Sequence, residues 1–539
     1  RRSSDLDVAK YVNGLYVCLN AIPLTQGPWT RRPGTAFLHQ VKFNSKLTRV
    51  LPFQYSVTQT YILEFGEYYI RFFTSHGILT NTAQSMTSIT KANPGVVTKV
   101  AHGYSNGDRL ELSSIVGMTQ LANREVVVTN KAANTFELYD TDGLKIDTTN
   151  YGTFTSGNMG KILEIVTPFT EAQLANVRIT QSADTLYLFH PSYAPQQLVR
   201  TSALSWTLSD IPLSDGPYDI LNTTATTLTA SATTGSVTIT ASATTGINDN
   251  TGFAATDVGR MIRMLVGSTW GYATITAFTS TTVVTATVNS AMGGITATAN
   301  WRLGIWSNST GWPTCGTFFE DRLYMAGAAS YPQQLDGSKV GNYVSFSPTS
   351  TTGVVAADNA VAFTLNADDV NAVKWMLPNE RGLLVGTSRG EWKVTPSSLG
   401  EAITPTNISA KPQTRFGSAD VAPVYAGRTV LFVQRAARKL RELAYVYMVD
   451  GFVAPDLSLL SEHITEGGIK ETAYQEQPQA IMWATRGDGV LLGFTYMRDQ
   501  DVTAWHRHEL GGASDAAKLF IPVVESVASV PSPDRKSVV

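Results

Sequence analysis

The sequence predicts an all-β protein: an irregular β-propeller platform with two inserted small β-barrel or β-sandwich domains. Three observations predict it. An apolar run, a turn of Gly and charged residues and a second apolar run recur as QTYILEFGEYYIRFF from Gln59, DTLYLFHPSYAPQQLVR from Asp184, DRLYMAG from Asp321, GLLVGTSRGEWKV from Gly382, TVLFVQRAARKLREL from Thr429 and AIMWATRGDGVLLGFTYM from Ala480. Each run has strand length, is rich in β-branched and aromatic residues and ends in turn residues, the pattern of antiparallel hairpins. Their spacing follows no fixed period, which favours a radial array of small sheets over a strict solenoid. Finally, 539 residues exceed one hydrophobic core, so two to four packing units are expected.

Taken in order, the elements divide the chain into five parts. Residues 1–88 hold DVAKYVNG, a short helix expected after Asp5 as N-cap, then the Pro/Gly-punctuated IPLTQGPWTRRPGT and the first propeller strands. In RRPGT, Pro33 fixes φ and Gly34 permits a tight turn, so a structural corner is expected with Arg31 and Arg32 hydrogen-bonded to protein. Residues 89–161 carry short strands (GVVTKV, DRLELSS, REVVVTN, TFELYD, GKILEI) between close-set turn signals, as in a small inserted β-barrel. Residues 162–220 continue the propeller, with Thr170 and Gln173 placed as a capping box ahead of EAQLANV.

Residues 221–305 read as a second insertion. Between Leu221 and Thr256 the only charged side chain is Asp249, a composition that a linker could also have. SVTITAS, YATITAF and TVVTATV nevertheless alternate with period two and are rich in β-branched Thr and Val, so a Thr-rich β-sandwich with one long mobile hairpin is expected. Residues 306–539 supply the remaining blades, in which Trp375, Trp392 and Trp483 are expected to be buried, and one amphipathic helix, PDLSLLSEHI, with Pro455 at its start.

Composition excludes several classes. With 41 Lys+Arg against 43 Asp+Glu the net charge is −2, which argues against a global electrostatic grip on nucleic acid. Cys18 and Cys315 are too few for a metal framework and indicate no disulfide scaffold; reducing surroundings are expected. No run approaches a transmembrane helix in length. The opening RRSSDLD lacks an initiator Met and a signal-peptide core, so the first residue is expected not to be the gene's first.

Candidate chemistry is sparse, and no catalytic, cofactor-binding or metal-binding residue is assigned. His506 and His508 would share a face on a strand and could hold a metal with a third ligand, but with no accompanying Cys or carboxylate they read as exposed polar residues. Asp140, Asp142, Gly143 and Asp147 resemble part of a calcium loop without its third acidic position and terminal Glu, which favours a plain turn. Arg486, Gly487 and Asp488 spell an adhesion tripeptide where a hairpin needs Gly and Asp anyway. The paired Asp368 and Asp369 fall in a turn context. Arg435, Arg438, Lys439 and Arg441 form the densest basic segment, either a guarded strand edge or a phosphate-facing strip.

Beyond this point the sequence resembles a known family, the tail nozzle proteins (tail tubular protein B) of short-tailed bacteriophages. The resemblance is carried by DLDVAKYVNG, NAIPLTQGPWTRRPGT, ILEFGEYYIRFF, TPFTEAQLANVRITQSADTLYLFHPSYAPQQLVR, DGPYDILN, ATDVGRMIRM with WGYATITA, FFEDRLYMAG and DLSLLSEHI, in the family's order and over most of the chain. The 89–161 insertion is similar to the first catalytic-cysteine half-domain barrel of ubiquitin-activating enzymes, as a module only, since neither Cys18 nor Cys315 lies in it. The resemblance implies a non-enzymatic virion protein of the distal tail, made in the bacterial cytoplasm, that forms a homohexameric ring below the tail adaptor protein, anchors tail fibres or spikes, and closes and then conducts the double-stranded DNA genome. It implies longer family members at both ends. Gate and channel residues are not identified; a slippery channel wall is expected to be polar or acidic, with the Arg435–Arg441 strip facing protein or outer solvent. The alternative is a carbohydrate-binding or carbohydrate-active propeller of the tail, and a third reading, a secreted adhesin, rests on the Thr-rich insert and the RGD tripeptide.

Overall fold

The blade strands are apolar on both faces because both faces are covered. The structure, a computed structural model, describes residues 15–538 save 16, 57, 368–370, 399, 501, 512–521 and 532–536. All six residues of Gly382–Thr387 are buried, and so are all five of Thr429–Val433. They belong to the second and third of three four-stranded antiparallel meanders: Cys315–Phe319, Arg322–Ala328, Tyr331–Gly337 and Val361–Thr364; Val373–Asn379, Gly382–Thr387, Glu391–Thr395 and Ser409–Thr414; Val424–Ala426, Thr429–Val433, Leu440–Val446 and Gly451–Val453. In each, strands adjacent in sequence are adjacent in the sheet, as in a propeller blade.

Successive blades pack through alternate faces. Leu323 and Met325 meet Tyr187, Phe189 and Ile305, while Tyr324 and Ala326, on the opposite face, join Leu383, Val385 and Trp392. Leu384 then meets Trp375, Phe432 and Leu443. Gly386 is required opposite Trp375, because a Cβ there would lie 2.0 Å from the indole. Trp375, Trp392 and Trp483 are all buried, as expected. Replacing Trp392 with Ala empties a core shared by two blades and should cost about 3–5 kcal/mol; a denaturant midpoint unchanged from wild type would refute that placement.

These blades belong to one compact unit, Asn176–Leu198 with Ser209–Thr472. The same unit contains a six-stranded sheet in the order Leu228–Ala230, Gly235–Ala241, Val283–Ser290, Thr269–Ser280, Met261–Val266 and Trp301–Leu303. Here alternation is clean: Val237, Ile239 and Ala241 enter the core while Ser236, Thr238 and Thr240 face solvent. The Thr-rich run thus folds as strand because β-branched residues suit a half-buried pleat.

The second unit comprises Asn13–Ala175, Val199–Leu208 and Ala473–Val539. It contains a sheet ordered Glu164–Val166, Tyr69–Thr74, Thr60–Gly66 and Arg49–Gln54, with Gly77–Ile78 on Tyr69–Thr74. A seven-stranded sheet runs Gln84–Ser85, Ser156–Lys161, Arg109–Val116, Arg124–Thr129, Thr135–Tyr139, Val96–Thr98 and Ser88–Ile89 around its own apolar core. The stretch GKILEI, read as one strand, is divided between these two sheets. Ile481–Arg486, Leu491–Met497 and Val502–His508 pair in sequence order. The fold is all-β, an irregular β-propeller of four-stranded blades together with two curled sheets.

Local expectations fare unevenly. Gln173 Oε1 accepts the Thr170 N–H at 3.0 Å and starts the 3₁₀ turn Glu171–Asn176. PDLSLLSEHI is not a helix: Asp456 bridges to Arg441, Leu457 N–H donates to Leu440 O, and separate turns follow at Ser458–Ser461 and Ser461–Ile464. Tertiary pairing to the neighbouring strand outcompetes local helix propensity there. RRPGT is not a tight corner either, since Gly34 has no positive φ and open space around it. Arg32 donates to Pro33 O and Glu509 O at 3.1 and 3.4 Å, whereas Arg31 ends an exposed strand. The DVAKYVNG helix and the Asp368–Asp369 pair lie outside the described residues.

Candidate functional site

The densest constellation of ionisable groups is a buried charge lock in the second unit. Register builds half of it. Glu64, Arg71 and Glu164 stand directly opposite one another on three adjacent strands, so an alternating row of negative, positive and negative charge crosses the sheet. On the seven-stranded sheet Glu111 and Glu125 are cross-strand partners of like charge, which alone would repel. Arg71 links the two sheets by joining Glu125 to Glu164. Its side chain is fully buried; Nη1 and Nη2 donate to Glu125 Oε2 and Oε1 at 3.0 and 2.9 Å, and Nε donates to Glu164 Oε2 at 3.3 Å. Arg109 adds a 2.8 Å bond to Glu125 Oε1.

A segment ahead of Arg49–Gln54 closes the lock. His39 Nε2 lies 3.2 Å from Glu111 Oε2 and 3.8 Å from Glu125 Oε2. Lys42 pairs with Glu164, and its ammonium sits over the rings of Phe43 and Tyr69. Tyr69 Oη donates to Glu64 at 2.5 Å. Burial opposes charge on His39, yet the Glu111 bond and the Glu125 field outweigh it and raise its pKa. Burial likewise pushes Glu125 up, but Arg71 and Arg109 hold it below the ordinary carboxylate range. Glu64, with burial dominant, is raised. The carboxyl groups of Glu64, Glu111, Glu125 and Glu164 thus face Arg71, Arg109, Lys42 and His39. Charge-assisted, bidentate bonds of this kind fix geometry; the lock joins the seven-stranded sheet to the neighbouring five-stranded one.

The candidates read from sequence separate into turns, pairs and one surprise. Asp140 Oδ1 accepts the N–H groups of Asp142 and Leu144 at 3.1 and 2.7 Å, and Gly143 has φ +82°, so DTDG is a turn with its carboxylate turned onto its own backbone. Arg486 closes on Asp488 through bonds of 2.7 and 2.6 Å, so the RGD charges face each other. In the basic strip, Arg441 is buried, donating to Gln434 Oε1 and Ala454 O with its guanidinium over Phe416. Lys439 pairs with Asp456 and Glu462, while Arg435 and Arg438 are exposed.

His506 and His508 correct the expectation: both are buried. His506 Nδ1 and His508 Nε2 are 2.6 Å apart, His506 Nε2 is 3.2 Å from Thr495 Oγ1, and Trp483 packs edge-on to His506. Both sheet faces are covered here, so polar residues at i and i+2 are not thereby exposed. Gly493 makes room, since a Cβ there would meet the His506 ring at 2.0 Å. His508 Nδ1 is buried without a hydrogen-bond partner and feels the Arg32 charge. A bare lone pair beside a cation costs less than an N–H, which assigns the proton to His508 Nε2, donating to His506. Two further groups escaped notice. Burial pushes the Asp336 carboxyl up to about 7, with Gln334 Nε2 donating at 2.9 Å. The Cys315 thiol is pushed up to about 12, mainly by burial, and is no nucleophile at neutral pH. Among the described residues no group of three or more His, Cys, Asp or Glu is placed to hold a metal ion.

No protein-family model matches the sequence, and no curated protein matches it. Solved structures give weak likenesses. The β-propeller domain of Cps50 (Swd1) from Myceliophteria thermophila is 9% identical with a TM-score of 0.32, covering 82% of this chain and 93% of that one. A protein from Lactobacillus plantarum is 10% identical with a TM-score of 0.23, covering 61% and 79% respectively. Scores this low bear on neither function nor partners.

Proposed function

We propose that this chain is a structural subunit of a short-tailed phage tail nozzle, a homohexameric ring at the distal tail. It would contact the tail adaptor and the fibres or spikes and let double-stranded DNA pass. The observation that carries this reading is how the chain uses its ionisable groups. Its largest constellation is a closed lock between two sheets, and the other sequence-flagged charges described above that are not exposed are engaged by neighbours within the fold, an economy suited to a rigid scaffold. The motifs of the resemblance also fall on the hairpins that build the sheets: ILEFGEYYIRFF forms Thr60–Gly66 with Tyr69–Thr74, and FFEDRLYMAG forms Cys315–Phe319 with Arg322–Ala328.

Electron microscopy of the purified full chain tests the proposal. Six-membered rings with a central bore, and antibody labelling of virions at the far end of the tail, are the expected results; a persistent monomer, or label confined to the capsid, would overturn it. The carbohydrate-binding alternative draws on a groove lined by Thr227, Thr229, Ser231, Thr238, Thr240 and Ser242. That groove has no aromatic platform or facing carboxylates in its lining, so a glycan array is expected to give no ligand dependent on Thr238 and Thr240.

A further inference from the structure

The hairpin joining Leu440–Val446 to Gly451–Val453 ends in three consecutive large apolar side chains, Tyr447, Met448 and Val449, which are 86%, 93% and 63% exposed. Single exposed apolar residues are ordinary, whereas a contiguous set marks a contact. This one is held ready. The turn closes through Asp450 N–H to Tyr447 O at 3.1 Å, with Asp450 left-handed at φ +43°. Tyr445 Oη donates to Asp450 Oδ1 at 2.6 Å, and the Arg381 guanidinium lies 3.6 Å from the Tyr445 ring centre.

Cations surround the base of this tip. Leu377, Leu384, Lys393 and Lys411 are successive cross-strand partners and share one face. The two leucines pack with Tyr445 and Phe452, and Gln413, two residues beyond Lys411, accepts the Phe452 N–H at 3.2 Å. The lysines therefore flank the strand that leaves the tip. The register Ala426 to Thr429 and Val430 to Leu443 brings the exposed Arg428 to the same end of its sheet. Against Arg381, Arg428, Lys393 and Lys411 stand the exposed Glu380 and Asp450, the latter bonded to Tyr445.

We infer that the Tyr447–Val449 tip and its cationic base form a peripheral docking surface for an anionic lipid bilayer. An aromatic residue and two flexible or branched apolar residues suit the boundary between headgroups and acyl chains, while lysine and arginine at the base meet lipid phosphates. Insertion is shallow; among the described residues no helix is long and apolar enough to cross a membrane. The inference does not rest on the nozzle reading.

Vesicle flotation with the full chain tests it, using phosphatidylcholine alone and phosphatidylcholine mixed with phosphatidylglycerol. The protein is expected to float with the anionic vesicles and not with the neutral ones, less so as salt rises. Tyr447→Ser/Met448→Ser/Val449→Ser should lower the vesicle partition coefficient at least about tenfold and Lys393→Gln/Lys411→Gln several-fold, both with melting temperatures near wild type, since the tip and Lys411 are exposed and Gln keeps most of the stem of the half-buried Lys393. Equal binding to both vesicle types, or binding indifferent to the tip triple variant, would overturn the inference. So would a tip variant that loses self-association while still binding vesicles, which would make the tip a contact between copies of the chain.

Discussion

Glu125→Ala is expected to destabilise the protein by about 3–5 kcal/mol, because it leaves a fully buried arginine without its bidentate partner. In the native protein Arg71 has no exposed surface, and its two terminal nitrogens reach Glu125 at 3.0 and 2.9 Å. Removing Glu125 leaves Arg71 the 3.3 Å bond from Nε to Glu164, a carboxylate already engaged by Lys42, together with the Tyr69 ring and the nearby Glu64. Arg109 and His39 also lose a counter-charge. Replacing both members of the pair, Arg71→Met with Glu125→Leu, should recover most of the loss, since a buried ion pair contributes little beyond an apolar pair of similar volume. A double-mutant cycle by urea unfolding measures the difference. Should Glu125→Ala cost less than about 1 kcal/mol, as exposed pairs do, the lock is not a desolvated unit. Hydrogen exchange then asks whether the loss is local: amides of Arg109–Val116 and Arg124–Thr129 should lose protection before those of Leu491–Met497.

Why the hairpins were legible and the lock was not comes down to sequence separation. A run such as ILEFGEYYIRFF specifies its own partner, because the two strands are adjacent and the turn residues lie between them. The lock joins side chains 54 and 93 residues apart, and no local pattern brings them together. A signal was present all the same: Glu64 and Arg71 are single charges embedded in otherwise apolar strands, which a fully covered sheet tolerates only if they are paired. The helix expected at PDLSLLSEHI failed for the same reason in reverse, since Asp456 and Leu457 are held by Arg441 and Leu440 of an adjacent strand. The tip at Tyr447–Val449 was hidden because an apolar triplet in sequence does not say whether it is core or surface. His506 and His508 were correctly placed on one face of a strand; what could not be read was that a second layer covers that face.

That covered face makes the histidine pair an acid-labile point: its own contribution to stability should fall as pH drops below about 6.5, opposed over the same range by the raised Asp336 carboxyl, whose contribution is lost as pH rises towards about 7. Burial is the main cause that lowers both rings, His506 to about 3 with His508 adding to it, and His508 to about 4 with Arg32 adding to it. The unfolded chain binds these two protons near the ordinary 6.5, the folded one only far below it. The stabilising contribution is therefore complete above pH 6.5 and is lost as pH falls towards the folded values. Each pH unit between folded and unfolded pKa is worth about 1.4 kcal/mol per group, so the pair should remove on the order of 5 kcal/mol between pH 6.5 and 4. His39 acts with the opposite sign: its raised pKa gives stability that is full below 6.5 and fades as pH rises through the folded value. The two sites act in opposite directions and can be told apart. His506→Gln/His508→Gln should flatten the acid limb of a melting-temperature profile and leave the alkaline limb unchanged, whereas His39→Gln should do the reverse. An acid limb as steep in the double variant as in wild type would locate the acid sensitivity in the carboxylates instead.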